Sequence, residues 1–226
     1  FVPSDDLIAR VTAQTCRQSG LSVVYTELLD FDGAEIYFAE APALAGKSYR
    51  EAMFCFEHSA VIGLMRSNGE VLINPVMETA INEGDKVIAI SEDDDTVVVS
   101  AQSNPPIEAS LIQLSAPAPS KAERTLILGW NKKGEAIIRE LESYVAEGSE
   151  IVVVCESDDV RTQLLTFSQS LMKQRLRFAK GTLSTRSTLE ALKPETFDHL
   201  IVLGDSSLPI QQADANTLIT LLHLRK

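Results

Sequence analysis

The chain has 226 residues, of which 45% are hydrophobic and 23% charged, with a formal net charge of −12. That is enough sequence for two modest domains, and it lacks the run of roughly 18 apolar residues that a membrane span requires. The acidic excess argues against nucleic acid, whose phosphates demand clustered Lys and Arg. The chain opens at Phe1 without a methionine and closes at Lys226 inside an expected helix, so it reads as a piece of a longer protein.

The first expected element is a helix from Ser4 to Gly20. Ser4 is a cap residue with Asp5 and Asp6 in the first turn, and Leu7, Ile8, Val11 and Thr15 share one face. Gly20 is the expected stop. Short strands follow at 35–39, 60–66, 70–73 and 86–91. The second and third form a hairpin across Ser67, Asn68 and Gly69, and a short helix covers 48–54. This is a small α+β domain over residues 1–100.

Residues 101–122 carry Pro105, Pro106, Pro117 and Pro119 with almost no charge, the composition of a semi-extended linker. Leu111, Ile112 and Leu114 inside it are expected to dock on a neighbouring surface. Residues 123–226 then alternate regularly. Strands at 125–128, 151–155, 176–179 and 199–203 are separated by helices at 132–145, 160–172 and 187–192, and a last helix covers 210–224. Such alternation predicts a Rossmann-like parallel sheet, and right-handed crossovers gather Gly129, Glu156, Gly181 and Gly204 at its carboxyl edge.

The glycine turn after the first of these strands is degraded. A dinucleotide fingerprint needs G-x-G-x-x-G, but Gly129 and Gly134 lie five apart with Trp130 and Asn131 between them. Glu156 stands where an acid bonds a ribose hydroxyl, and Lys132 and Lys133 could add positive charge at the helix start. Trp130 and the missing middle glycine oppose a nucleotide, and packing against a lobe or partner is the expected role of Trp130. Two acidic runs offer the oxygens that Ca²⁺ takes: Glu92 with Asp93, Asp94 and Asp95, and Glu156 with Asp158 and Asp159. Neither has EF-hand spacing. Each run reads first as a solvated strand end, with cation binding, completed across a lobe or subunit interface, as the second reading.

Cys16, Cys55 and Cys155 form no C-x-x-C and read as reduced, buried thiols; His58, His199 and His223 are too scattered for zinc. No G-x-S-x-G elbow or H-E-x-x-H is present, and Asp205 and Asp214 are expected to be structural, so no enzymatic activity is expected.

Several of these segments resemble a known family. The glycine turn at Gly129, the Lys180-Gly181-Thr182 turn, the Leu203-Gly204-Asp205 strand end and the Glu83-Gly84-Asp85 strand entry resemble RCK (TrkA-type) domains. The Gly129-Trp130 pair and the segment from Asp214 to Leu222 are similar, more closely, to the Castor/Pollux class of cation channels and its bacterial relatives. Asp6 to Arg10, Cys16 to Leu21 and Ala146 to Glu150 carry the same resemblance. It implies an α+β RCK C-terminal lobe, a linker, and the Rossmann-like N-terminal lobe of a second RCK domain. It further implies a homo-oligomeric ring, a tetramer in the parent protein, on the cytoplasmic face of a membrane below a pore that lies outside this chain. The ligand it implies is one such as Ca²⁺, with Gly129, Trp130, Gly134 and Glu156 marking the nucleotide position. The alternative is a nucleotide-sensing, NAD(H)-type regulatory subunit of a potassium uptake system.

Overall fold

A computed structural model describes residues 4–100, 107–113 and 120–225. They form two compact units. Residues 4–21 and 120–225 make one; residues 22–100 with 107–113 belong to the other.

The opening helix α1 (Ser4–Arg17) ends near Gly20, whose φ of +88° suits only glycine comfortably. A second helix, α2 (Leu21–Leu29), follows at once. It was not expected, because Val23 and Val24 are poor helix formers and no apolar stripe marks it: none of its residues is buried. The smaller unit is a four-stranded antiparallel sheet of β1 (Glu35–Glu40), β2 (Ala60–Met65), β3 (Val71–Ile73) and β4 (Lys86–Ser91), in the order β1-β4-β2-β3. A one-turn helix, α3 (Tyr49–Ala52), starts in a capping box in which Ser48 and Glu51 satisfy each other's backbone N–H groups. Tyr49, Leu44, Leu64, Ile81 and Val87 fill the core on one face of this sheet. Ile36, Phe38, Val71 and Ile73 are exposed. Within β2 the register slips by one residue between Val61 and Gly63.

The entry to β4 is pinned by Asp85, whose side chain is 1% exposed. Its carboxylate accepts from Arg66 at 2.6 Å, from the Asn82 N–H at 2.9 Å and from the Ser67 N–H at 3.1 Å. One carboxylate thereby ties the β2–β3 hairpin to the turn before β4.

The larger unit alternates β5 (Arg124–Leu128), α4 (Gly134–Tyr144), β6 (Ser149–Cys155), α5 (Asp158–Ser168), β7 (Gln174–Lys180), α6 (Arg186–Leu192), β8 (His199–Val202) and α7 (Ile210–Leu224). All four strands are parallel, in the order β7-β6-β5-β8. The expected Rossmann-like sheet is present. The central strands β5 and β6 are largely apolar on both faces because helices cover both. Ile127, Ile151, Val153 and Ile201 pack with α4 and α5 on one side; Leu126, Leu128 and Val154 pack with Leu189 of α6 on the other.

The expected division differs in one respect. Helix α1 belongs to the larger unit, not to a domain over residues 1–100. Ala9 and Ala13 are buried in the same core cluster as Ile137 and Leu141 of α4, since small side chains let two helices approach. Arg17 holds Glu123 through two bonds at 2.7 and 2.9 Å. The two ring nitrogens of His199 lie 3.0 Å from the Cys16 carbonyl and from the Glu123 carboxylate. Nothing in the spacing of α1 distinguishes one apolar partner from another, so its place had to come from the fold. Of the expected linker, residues 101–106 and 114–119, Leu114 among them, lie outside the described residues. Leu111 and Ile112 were expected to dock but are exposed.

Candidate functional site

In an open parallel sheet the crevice for a ligand opens where the strand order reverses. Here the chain runs outward from β5 through β6 to β7, then returns to place β8 on the other side of β5. The reversal point is therefore between β5 and β8. The two strand ends close tightly there. The Leu203 N–H donates to the Leu128 carbonyl at 2.8 Å, and a Cβ on Gly129 would lie 2.0 Å from the Leu203 oxygen. With φ at +86°, Gly129 is required on both counts.

Each group expected to receive a nucleotide phosphate has another task. The Trp130 indole is 7% exposed and lies on Gly134, where an added Cβ would sit 2.5 Å from the ring. The third glycine of the pattern thus makes room for an indole. Asn131 takes over the turn. Its side-chain oxygen accepts from the Lys133 N–H at 2.9 Å, its carbonyl accepts from the Gly134 N–H at 3.0 Å, and its side-chain amide donates to the Gly204 carbonyl at 3.0 Å. The expected helix start at Lys132 moves to Gly134, and the N–H groups of Lys133 and Gly134 are already satisfied. Lys132 and Lys133 reach Asp5 of α1 at 3.0 and 3.6 Å, and the Lys132 contact holds the Asp5 carboxyl below its ordinary value. Trp130 packs inside its own unit, in the core shared with α1 and α4.

One carboxylate of each acidic run, Asp93 and Asp158, is used locally. Asp93 caps a 3-10 turn over Asp94–Thr96, accepting from the Asp94 N–H at 2.7 Å. Asp94 and Asp95 follow it, exposed. Ser157 caps α5, which puts Asp158 and Asp159 in the first turn, where the helix dipole favours negative charge. Asp158 also pairs with Lys180, whose hydrogen bond lowers its carboxyl pKa. The sequence signal for both was a capping residue followed by acids. No group of three or more His, Cys, Asp or Glu side chains placed to hold a metal occurs among the described residues.

Glu156 has a different setting. It lines a cavity of about 460 Å³ with Gly129, Cys155, Gly181, Asp205 and the inner face of α7. No described residue offers its carboxylate a hydrogen bond or ion pair. Asp205 accepts from the Ser207 N–H at 2.9 Å and the Ser207 hydroxyl at 2.6 Å. Burial raises the Cys155 thiol pKa, offset in part by a backbone contact with Ser157 and reinforced by the charges of Asp205, Glu156 and Asp158. Expectation had placed Glu156 and Gly181 at this edge but not the α7 residues Gln212, Asn216 and Thr220. Their spacing of four in a helix otherwise rich in Leu was the available sign.

The architecture is that of a Rossmann-like α/β unit whose first strand–helix turn is built from Gly129, Trp130 and Asn131, joined in sequence to a small antiparallel unit. Residues 5–107 match the family described as Castor and Pollux, part of voltage-gated ion channel. Over 99% of its length the chain is 30% identical to the probable ion channel POLLUX of Arabidopsis thaliana and 31% identical to the probable ion channel CASTOR of Oryza sativa subsp. japonica. It is 28% identical to the ion channel CASTOR of Lotus japonicus over the same share. The chain is similar to the Castor/Pollux-type ion channels, and the similarity runs through both units. It spans 28%, 26% and 27% of the length of these three relatives, so it corresponds to about a quarter of such a protein. The relatives are named as ion channels, not enzymes. No helix among the described residues is long and apolar enough to cross a membrane.

Proposed function

We propose that this chain is a regulatory, gating-ring segment of a Castor/Pollux-like cation channel, positioned at the cytoplasmic face and acting on a pore outside this chain. The carrying observation is the similarity to ion channels along 99% of a chain whose described helices include none fit to cross a bilayer. In this reading the antiparallel unit is an RCK C-terminal lobe and the parallel unit the N-terminal lobe of a second RCK domain. Copies assemble as a ring, a tetramer in the parent protein, and a ligand shifts the ring between two states by binding one more tightly.

Ca²⁺ is the ion favoured for that role. It takes six to eight oxygens, more than any described cluster supplies, so Asp93 to Asp95 or Asp158 and Asp159 would complete a site with carboxylates of another copy. A nucleotide is disfavoured, because Asn131 and Trp130 occupy the seat a phosphate would need.

The test is calorimetric titration of chelator-stripped protein with Ca²⁺, with Mg²⁺ and NADH as comparators. Saturable Ca²⁺ binding, lost when Asp93 to Asp95 or Asp158 and Asp159 become Asn, is the expected result. Binding of NADH in its place would overturn the calcium reading in favour of a nucleotide-sensing subunit. Light scattering at tens of micromolar checks assembly, and a clean monomer would count against the ring.

A further inference from the structure

Helix α7 is turned against the usual sense of an amphipathic helix. Leu218, Leu221 and Leu222 are 58%, 48% and 58% exposed, whereas Gln212, Asn216 and Thr220, spaced four apart, line the cavity at the carboxyl edge of the parallel sheet. Thr220 is 1% exposed and spends its hydroxyl on the Asn216 and Leu183 carbonyls. A helix that only had to pack on a sheet would present leucines there. This one keeps Asn216, Thr217 and Thr220 on its less exposed side and Gln212 at the open rim, facing a space of about 460 Å³, within the range of small-molecule sites.

The charge of that space is one-sided. Two carboxylates, Glu156 and Asp205, line it, and among the described residues no Lys, Arg or His does. Leu183, Val202, Leu203 and Leu208 supply apolar wall between the polar groups. A phosphate would meet two negative charges and no cation there. A protonated amine would meet two acceptors and a strip of amides able to orient the remainder of the molecule.

We infer that this cavity is a binding site for a small organic cation, an alkylammonium compound with aliphatic and hydrogen-bonding parts, held by Glu156 and Asp205 and oriented by Gln212 and Asn216. This assignment goes beyond the gating reading. Binding can be measured on the chain alone, so it can fail while Ca²⁺ regulation stands, and it can hold if gating fails.

The experiment uses the 226-residue chain and spermidine as the probe, with adenosine, AMP and Ca²⁺ as comparators, followed by calorimetry. A second readout is site-resolved alkylation of Cys155, which lines the same cavity and is 5% exposed. Saturable spermidine binding and slower Cys155 alkylation in its presence are expected. Glu156→Gln and Asp205→Asn should each weaken binding at least about tenfold, the loss of one charge-assisted hydrogen bond. Asn216→Leu should abolish it by filling the space, with circular dichroism confirming the fold. Asp214→Asn removes one negative charge from α7 outside the cavity and should change nothing. Equal weakening by Asp214→Asn would reduce the effect to general attraction by an acidic surface and overturn the assignment. So would the absence of spermidine binding, or tighter binding of adenosine, AMP or Ca²⁺ at Glu156 and Asp205.

Discussion

At the scale of single residues, the strongest constraints are charges and glycines that backbone geometry leaves no freedom to change. Burial disfavours the Asp85 carboxylate, yet the bonds from Asn82, Arg66 and Ser67 outweigh it and hold its pKa below the ordinary value. A depressed carboxyl contributes stability that is present above its unfolded pKa, near 3.9, and lost as pH falls through the folded value. The antiparallel unit should therefore weaken on acidification below about pH 4. Asp85→Asn should shrink this acid limb, leaving the part that Glu51 supplies through its bonds from Ser48, while costing on the order of 3 kcal/mol at neutral pH, because Arg66 loses its buried partner. Urea unfolding of the two proteins across pH checks both statements; an unchanged acid limb in the variant would remove Asp85 from the account. Gly129→Ala is expected to cost at least about 2 kcal/mol from the positive φ alone, with the Leu203 carbonyl clash added.

At the scale of elements, Trp130 and Ser157 show how a motif position can serve packing. Trp130→Ala removes a buried indole from the core beneath α1 and α4 and should cost about 3–5 kcal/mol in chemical denaturation. Titration of this variant with NADH should remain silent, because Asn131 still occupies the turn. Ser157→Ala should cost ~1 kcal/mol of helix-cap stability. The alternation of strands with amphipathic helices in residues 123–226 was readable in advance, because short apolar runs such as 125–128 and 151–155 are separated there by segments of helical period. The hairpin at Ser67 to Gly69 was readable from its turn residues. Helix α2 was not, since its valines argue for a strand and nothing buries it. Nor was the pairing of Lys132 and Lys133 with Asp5, which joins residues more than a hundred positions apart. The acid-rich starts of α5 and of the 3-10 turn at Asp94 offered two readings, ion ligand or helix cap, and only coordinates display the cap. The α7 stripe was missed because Gln212, Asn216 and Thr220, spaced four apart, read from sequence as the solvent face of an ordinary amphipathic helix.

At the scale of the molecule, the two units should be separable in solution. Trp130, the single tryptophan of the chain, lies in the parallel-sheet unit. Its fluorescence reports that unit alone, whereas far-ultraviolet dichroism reports both. Asp85→Asn is therefore expected to move the dichroism transition to lower urea and leave the fluorescence midpoint in place; a common shift of both would mean that the units unfold as one. The parallel unit is also discontinuous: α1 precedes the whole antiparallel unit, and its partners follow it. His199 is 183 positions beyond the Cys16 carbonyl it contacts. On a ribosome adding about 5–20 residues per second, α1 emerges some 10–40 s before that partner exists. A fourteen-residue helix is marginal by itself in water. Between those moments the antiparallel unit, contiguous in sequence, can complete its fold, while the first helix waits with Ala9 and Ala13 uncovered. Nascent chains stalled before residue 199 should accordingly present α1 to proteases and chaperones, and release from that exposure should coincide with the synthesis of β8.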